Sequence, residues 1–451
     1  MKHLTLPLAV AAALVAGQSQ AATYVVQAKA ERFDAALVSK IQANGGQVVA
    51  NYPQIGVAIV ESDSGFEARA LRLAEIRYAT PNMQLKYDVP EAMPLSNAEV
   101  MAAPPPNSGD DDRLFDTQWG MAAMKVQNAW AKGYRGAGAV VAVLDSGLDC
   151  NHPDLVANNL ASLNTSFVPN ETACQVPAFP TFNHGTHVAG IIAGADNAQG
   201  IIGVAPQAKF FAVKVLSAVT GSGDFAGIVQ GVMYAADKGA DVINMSLGVY
   251  GGLPVTRETR ELIQAMQRAV LYARRHNTTV IAAAGNDGID YDSATTPEGR
   301  RLMAFPAEVP GVIAVSATAP IGWATSPATI NLDTPASYTN YGVSLIDVAA
   351  PGGDLGYTGT NTCTIAGLTR QCRVFDLVLS TTTGGWAWAG GTSMAAPHAA
   401  GLAALLIGAH GGELLPGRVE NALQRGADDL GAPGKDPYYG HGRVNANASL
   451  R

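Results

Sequence analysis

Between residues 22 and 88 the chain alternates short apolar runs with segments of helical spacing. TYVVQA reads as a strand. Phe33, Ala36, Leu37 and Ile41 recur at the steps of one helix face, so residues 33–43 are predicted helical. QVVANYPQIGVAIVES reads as two strands with a turn near Tyr52-Pro53. GFEARALRLAE reads as a second helix, and IRYATPNMQLKY as a closing strand broken by Pro81. The order β-α-β-β-α-β predicts a small two-layer α+β domain on an antiparallel sheet.

The pattern stops at residues 89–112. Pro90, Pro94 and the run Pro104-Pro105-Pro106 precede Asn107-Ser108-Gly109 and three aspartates. This composition predicts an extended, cleavable tether with nothing to pack into a core. From Arg113 onward the pattern changes again. AVVAVL, KFFAVKVL, DVINMS, TVIAAAG and VIAVSA are apolar on both faces, as strands buried within a parallel sheet are. Between them lie helical stretches at about residues 124–132, 185–195, 225–238, 257–275 and 393–408. The predicted fold is α/β: a doubly wound, mainly parallel sheet flanked by helices, whose reactive groups gather at the carboxyl ends of its strands.

Composition supports this division. The 451 residues suit one large and one small domain, and 48% apolar with 15% charged residues describes a folded chain with a large core. A net charge of −8 argues against nucleic acid or an anionic membrane as partner. At the N-terminus a short basic start, the apolar run Leu4 to Gly17 and Ser19-Gln20-Ala21 predict a secretory signal peptide, residues 1–21, cut after Ala21. The run is shorter than a membrane span, so no membrane anchor is expected, and the chain is read as secreted, with periplasmic passage open. In that oxidising setting the four cysteines predict disulfides. Three pairings are possible, and the two local ones, Cys150 with Cys174 and Cys363 with Cys372, are preferred.

Three segments carry the chemistry. In VVAVLDSG a carboxylate, Asp145, ends a buried strand. In NHGTHVAGIIAGA an imidazole, His184, opens a helix; His187 follows at a spacing that does not fit the helical zinc-protease motif. In GGTSMAAPHAAGLAALLIGA a hydroxyl, Ser393, lies where a helix begins, and the positive helix end favours negative charge near it. Pro397 has no N–H for the Ser393 carbonyl four residues back. Singly, Asp145 has a plain reading as a turn carboxylate and Ser393 as an N-cap, and His187 reads as a buried, hydrogen-bonded helix residue. Together Asp145, His184 and Ser393 supply what a weak serine nucleophile needs, a base and a group to orient the base.

The strings VLDSG, HGTHVAG and GTSMAAPH, in the order Asp, His, Ser, resemble the signature blocks of the subtilisin-like serine proteases. The resemblance runs from about Asp112 to GHGRVNA near the C-terminus. It implies that Ser393 is the nucleophile, His184 the general base and Asp145 its orienting carboxylate. It implies that Asn286, in AAAGND, donates to the oxyanion. Ser246, Leu247 and Gly248, with Ala283, Ala284 and Gly285, would bind the substrate backbone and line the primary pocket; Ala304 would narrow that pocket, and Asp287 stands at its rim. The loop ADNAQGIIGVAP resembles a family calcium loop, with Asn197 and Asp154 as ligands and Asp112 a third candidate. No catalytic cofactor is implied. Residues 22–88 resemble the inhibitory propeptide, an intramolecular partner, and residues 113–451 the peptidase domain. The implied product is a monomeric secreted endopeptidase acting on proteins or peptides, made as a zymogen.

Overall fold

The computed structural model describes residues 21–87, 90, 92–179 and 181–451. The leader read at residues 1–21 lies, save for Ala21, outside them. The chain divides into two compact units, residues 1–81 and 82–451.

In the first unit, strands Ala22–Ala28, Gln47–Tyr52, Val57–Ser62 and Ile76–Pro81 form one antiparallel sheet, with Ala22–Ala28 between the third and fourth. Helices Ala35–Ala43 and Phe66–Ala70 cover it. Asp34 starts the longer one, its carboxylate accepting from Leu37 N–H at 3.0 Å. Phe33, Ile41, Val26, Val60 and Phe66 are buried between the layers. The predicted closing strand is shorter than read: Pro81 ends it, and Gln84–Lys86 is a separate strand in the second unit.

The second unit is built on a largely parallel sheet. Across it run Thr334–Pro335, Val312–Ala319, Thr279–Ala283, Val242–Met245, Val140–Asp145, Lys209–Lys214 and Thr165–Ser166, with Val348–Pro351 also paired to Val312–Ala319. Among the described strands of this sheet, Thr334–Pro335 alone pairs antiparallel. The chain leaves Val140–Asp145 for the neighbour on one side and later returns to the other. Such a reversal opens a crevice at the carboxyl end of the central strand.

Helix Thr392–Ala409 packs on the sheet and on helix His184–Ala193. Its alanines and glycines allow that close approach: a Cβ on Gly401 would stand 2.6 Å from Val204. Among the described residues it is the one helix long and apolar enough to cross a membrane, and here that apolarity serves burial in the core. The helix predicted at 124–132 is two short ones, Trp119–Ala123 and Val126–Trp130. Lys125, at φ 55°, takes a left-handed turn between them.

The proline-rich stretch is not a bare tether. Ala92–Leu95 pairs antiparallel with Gly385–Ala389, itself paired with Val378–Thr382. Helix Asn97–Ala102 follows, closed by a capping box between Ser96 and Glu99. Leu95, Val100 and Ala103 are buried in a cluster with Trp388, Phe375 and Leu368. Pro94 is compatible with a strand because Ala92–Leu95 lies at the sheet edge, where a missing N–H costs nothing in the sheet. Both preferred disulfides, Cys150–Cys174 and Cys363–Cys372, are formed.

Candidate active site

Strand Val140–Asp145 delivers a carboxylate to the crevice, and Asp145 is almost wholly buried there. Ser146 N–H donates to its Oδ1 at 2.6 Å. His184 is the first residue of its helix. Asn183 caps that helix, accepting from Thr186 N–H at 2.9 Å. Gly185 is what lets the helix start against the strand: a Cβ on it would lie 2.2 Å from Gly147 O and 3.2 Å from Asp145. His184 Nδ1 then lies 2.8 and 2.9 Å from the two Asp145 oxygens. A carboxylate accepts only, so Nδ1 carries the proton and Nε2 the lone pair. Nε2 is buried without a hydrogen-bond partner.

Ser393 lies in the first turn of its helix. Its hydroxyl donates to Ser246 O at 3.3 Å, so the bond to His184 Nε2 is not made in this conformer. The carbonyl of Ser393, which Pro397 cannot pair, accepts from Ser246 Oγ at 2.8 Å. Asn244 Nδ2 donates in turn to that hydroxyl at 2.9 Å.

Asn286 is fixed through its oxygen. Oδ1 accepts from Thr392 N–H and Thr392 Oγ, each at 2.8 Å. This turns the amide nitrogen toward Gly391. A Cβ on Gly391 would stand 3.5 Å from Asn286 Nδ2 and 3.6 Å from Ser393 N. Asn286 Nδ2 and Ser393 N thus border one small volume, with Asn286 Oδ1 at 3.7 Å from the same point, left open because residue 391 is glycine. That is the geometry for an oxygen developing negative charge. Ser246–Gly248 and Ala283–Gly285 face each other beside it, the Cβ point of Gly248 lying 3.7 Å from Gly285 Cα.

A profile described as the subtilase family matches residues 136–442. The chain belongs to that family. It is a serine-type endopeptidase, a hydrolase of peptide bonds. It is 35% identical over 334 residues to subtilisin E of Bacillus subtilis (strain 168), covering 74% of this chain and 71% of that one. It is 34% identical over 347 residues to thermitase of Thermoactinomyces vulgaris, covering 76% and 99%. The fold matches the epidermin leader peptide processing serine protease of Staphylococcus aureus with a TM-score of 0.74, over 96% of this chain and 98% of that one, at 23% identity.

This subtilase holds further site residues that its sequence did not single out. Lys214 is buried beside Asp145. Its ammonium pairs with Glu171 at 3.0 Å and donates to Ser146 O, bracing the turn after the carboxylate. Burial lowers its pKa, and Glu171 works against that shift. Ser222–Asp224 pairs with Gln84–Lys86, and Gly221 just before it lines the cavity that His184 and Ser246 also line. The string GSGD carried that signal weakly, as a short glycine-flanked strand. Asp287, expected at the pocket rim, accepts from Gly251 N–H at 2.9 Å. Ala304 is buried, its N–H donating to Glu308 at 2.7 Å.

Asp112, Asp154 and Asn197 come together. Asn197 Nδ2 lies 3.4 Å from Asp154 Oδ1, and Asp112 Oδ1 accepts from Asn197 N–H at 3.3 Å and Gln199 N–H at 3.1 Å. Asp154 Oδ2 accepts from Ile201 N–H and Trp386 Nε1. Asp112 Oδ2 is buried without a partner, and Asp110, Asp111 and Asp196 crowd the same spot. Burial, then Asp110, pushes the Asp112 carboxyl up to about 8. A hard cation taking oxygen ligands fits this crowding of carboxyl groups.

Proposed function

We propose that this subtilase is secreted as a zymogen, processes itself, and cleaves peptide bonds with Ser393, His184 and Asp145. Ser393 Oγ turns from Ser246 O to His184 Nε2, gives up its proton there and attacks the scissile carbonyl carbon. The carbonyl oxygen, now an anion, moves between Asn286 Nδ2–H and Ser393 N–H. His184 passes the proton from Nε2 to the leaving amine as the C–N bond breaks. Water then attacks the acyl-enzyme with His184 again as base, releasing the acid and restoring Ser393. Asp145 holds the Nδ1 proton throughout and stabilises the transient imidazolium.

The observation that carries this reading is the pairing at His184: both Asp145 oxygens hold Nδ1 while Nε2 stays open. Substrate lies extended, main chain against Ser222–Asp224 and Ser246–Gly248, with a side chain between Ser246–Gly248 and Ala283–Gly285. Asp112, Asp154 and Asn197 would hold a calcium ion, which ties the segment before the catalytic body to the loop after helix His184–Ala193. Residues 22–88 act as intramolecular inhibitor.

Ser393→Ala is the test. The variant should accumulate as the uncut precursor and leave casein intact; self-processing or casein cleavage by it would remove Ser393 from the role.

A further inference from the structure

The chain itself runs beside the proposed catalytic centre. Gln84–Lys86 pairs antiparallel with Ser222–Asp224, and Tyr87 N–H donates to Gly221 O at 3.3 Å. Lys86 O accepts from Tyr250 N–H at 3.2 Å on the opposite wall. Leu85 and Tyr87 point inward and are buried; Gln84 and Lys86 are exposed. Further along, Pro90 lines two cavities. One, about 510 Å³, also has His184 and Ser246 in its wall; the other, about 200 Å³, has Asn286 and Gly390. The chain next joins the sheet as Ala92–Leu95, with Ala92 opposite Ala389, the residue before Gly390 and Gly391. Read from N- to C-terminus, Gln84–Tyr87 occupies the acyl side of the centre and Ala92–Leu95 the leaving-group side.

The two sides are held differently. Within the catalytic unit the acyl-side segment is a three-residue strand with a few flanking bonds. The leaving-group segment is anchored in its core: Leu95, Val100 and Ala103 are buried, Arg370 pairs with Glu99, and Arg113 donates to Ala103 O at 3.0 Å.

We infer that self-processing cuts between Tyr87 and Ala92, and that residues 92–103 then remain as a permanent strand and helix of the enzyme, closing the leaving-group side of the cleft. This rests on the endopeptidase reading above. The cut consumes one water, leaving a carboxylate on the acyl fragment and an amine on the retained strand. Four residues separate Tyr87 from Ala92. A substrate in the same path therefore meets the enzyme's own strand by its fifth leaving-group residue at the latest. The enzyme becomes an endopeptidase that gains nothing from longer leaving groups, because the edge of Gly385–Ala389 is already paired.

The experiment uses the full chain, allowed to process itself. The mature N-terminus, read by intact mass and terminal sequencing, should fall within residues 88–92, with the amides of 92–103 slow in hydrogen exchange. Against peptides matched on the acyl side, lengthening the leaving group from three to eight residues should change kcat/KM by less than about twofold. In Leu95→Ser/Val100→Ser, which loosens the strand, the same lengthening should raise kcat/KM by about fivefold or more. Should that variant fail to fold, the N-terminus and exchange of the wild type still decide. A mature chain beginning near Arg113, or a wild type gaining tenfold from the longer peptide, overturns the retained strand while leaving the endopeptidase intact. A chain that neither processes itself nor cuts any peptide overturns both.

Discussion

Pro397 leaves the Ser393 carbonyl without its helical donor, and Ser246 Oγ fills the gap at 2.8 Å. The backbone of the proposed nucleophile is thus pinned by a residue proposed to wall the substrate pocket. Ser246→Ala should orphan a buried acceptor and cost about 1–3 kcal/mol of stability, read by chemical denaturation. At the proposed oxyanion site the relevant atoms are Asn286 Nδ2 and Ser393 N–H, beside the empty Cβ position of Gly391. Asn286→Leu should lower kcat by about 10²–10³ with little change in KM, a magnitude known for the corresponding donor in subtilisin, a relative of this chain. Gly391→Ala places a methyl in that volume and should act in the same direction. A rise in KM at unchanged kcat in both variants would show that these donors bind substrate rather than the transition state.

At the scale of elements, the site is a matter of how closely helix His184–Ala193 can start against strand Val140–Asp145. Gly185→Ala would place its methyl 2.2 Å from Gly147 O, so the helix must back away and carry His184 off Asp145. The expected result is a fall in kcat of at least about tenfold together with a lower Tm; a variant matching the wild type in both would show that the turn absorbs the methyl. The buried strands were legible as short apolar runs, and the major helices as longer stretches of helical spacing or of small apolar residues. Asp145 and His184 stood out through their order with Ser393 and the family blocks around them, because a carboxylate that closes a strand has by itself a plain reading as a turn residue. The strand Ala92–Leu95 was not legible, because its only reason to be a strand is the partner Gly385–Ala389 far along the chain. Gly221–Asp224 escaped for the same reason. Lys214 was hidden inside a strand pattern that gives no hint of Glu171, which the Cys150–Cys174 loop brings to it.

For the whole molecule, two buried histidines set an acid limit. Burial lowers His187 to about 3 and His398 to about 4, below the ordinary 6.5. Between these values the unfolded chain binds more protons than the folded one. Their stabilisation is complete above about pH 6.5 and is lost as pH falls toward 3–4. Asp376, pushed up to about 6 by burial, acts in the opposite sense between about pH 4 and 6, so the comparison must be between variants. Tm followed from pH 7 to 4 should fall less steeply in His398→Gln than in the wild type; parallel curves would remove His398 from this account. A chelator should lower Tm, and calcium restore it, if Asp112, Asp154 and Asn197 hold a cation across the loop.

The triad is tested most directly by labelling the processed enzyme with a fluorophosphonate and mapping the adduct by peptide mass spectrometry. The account predicts one adduct per chain, on Ser393, formed rapidly in the wild type and slowed by orders of magnitude in His184→Ala. An adduct on another residue, or labelling of Ser393 at the same rate without His184, would contradict it.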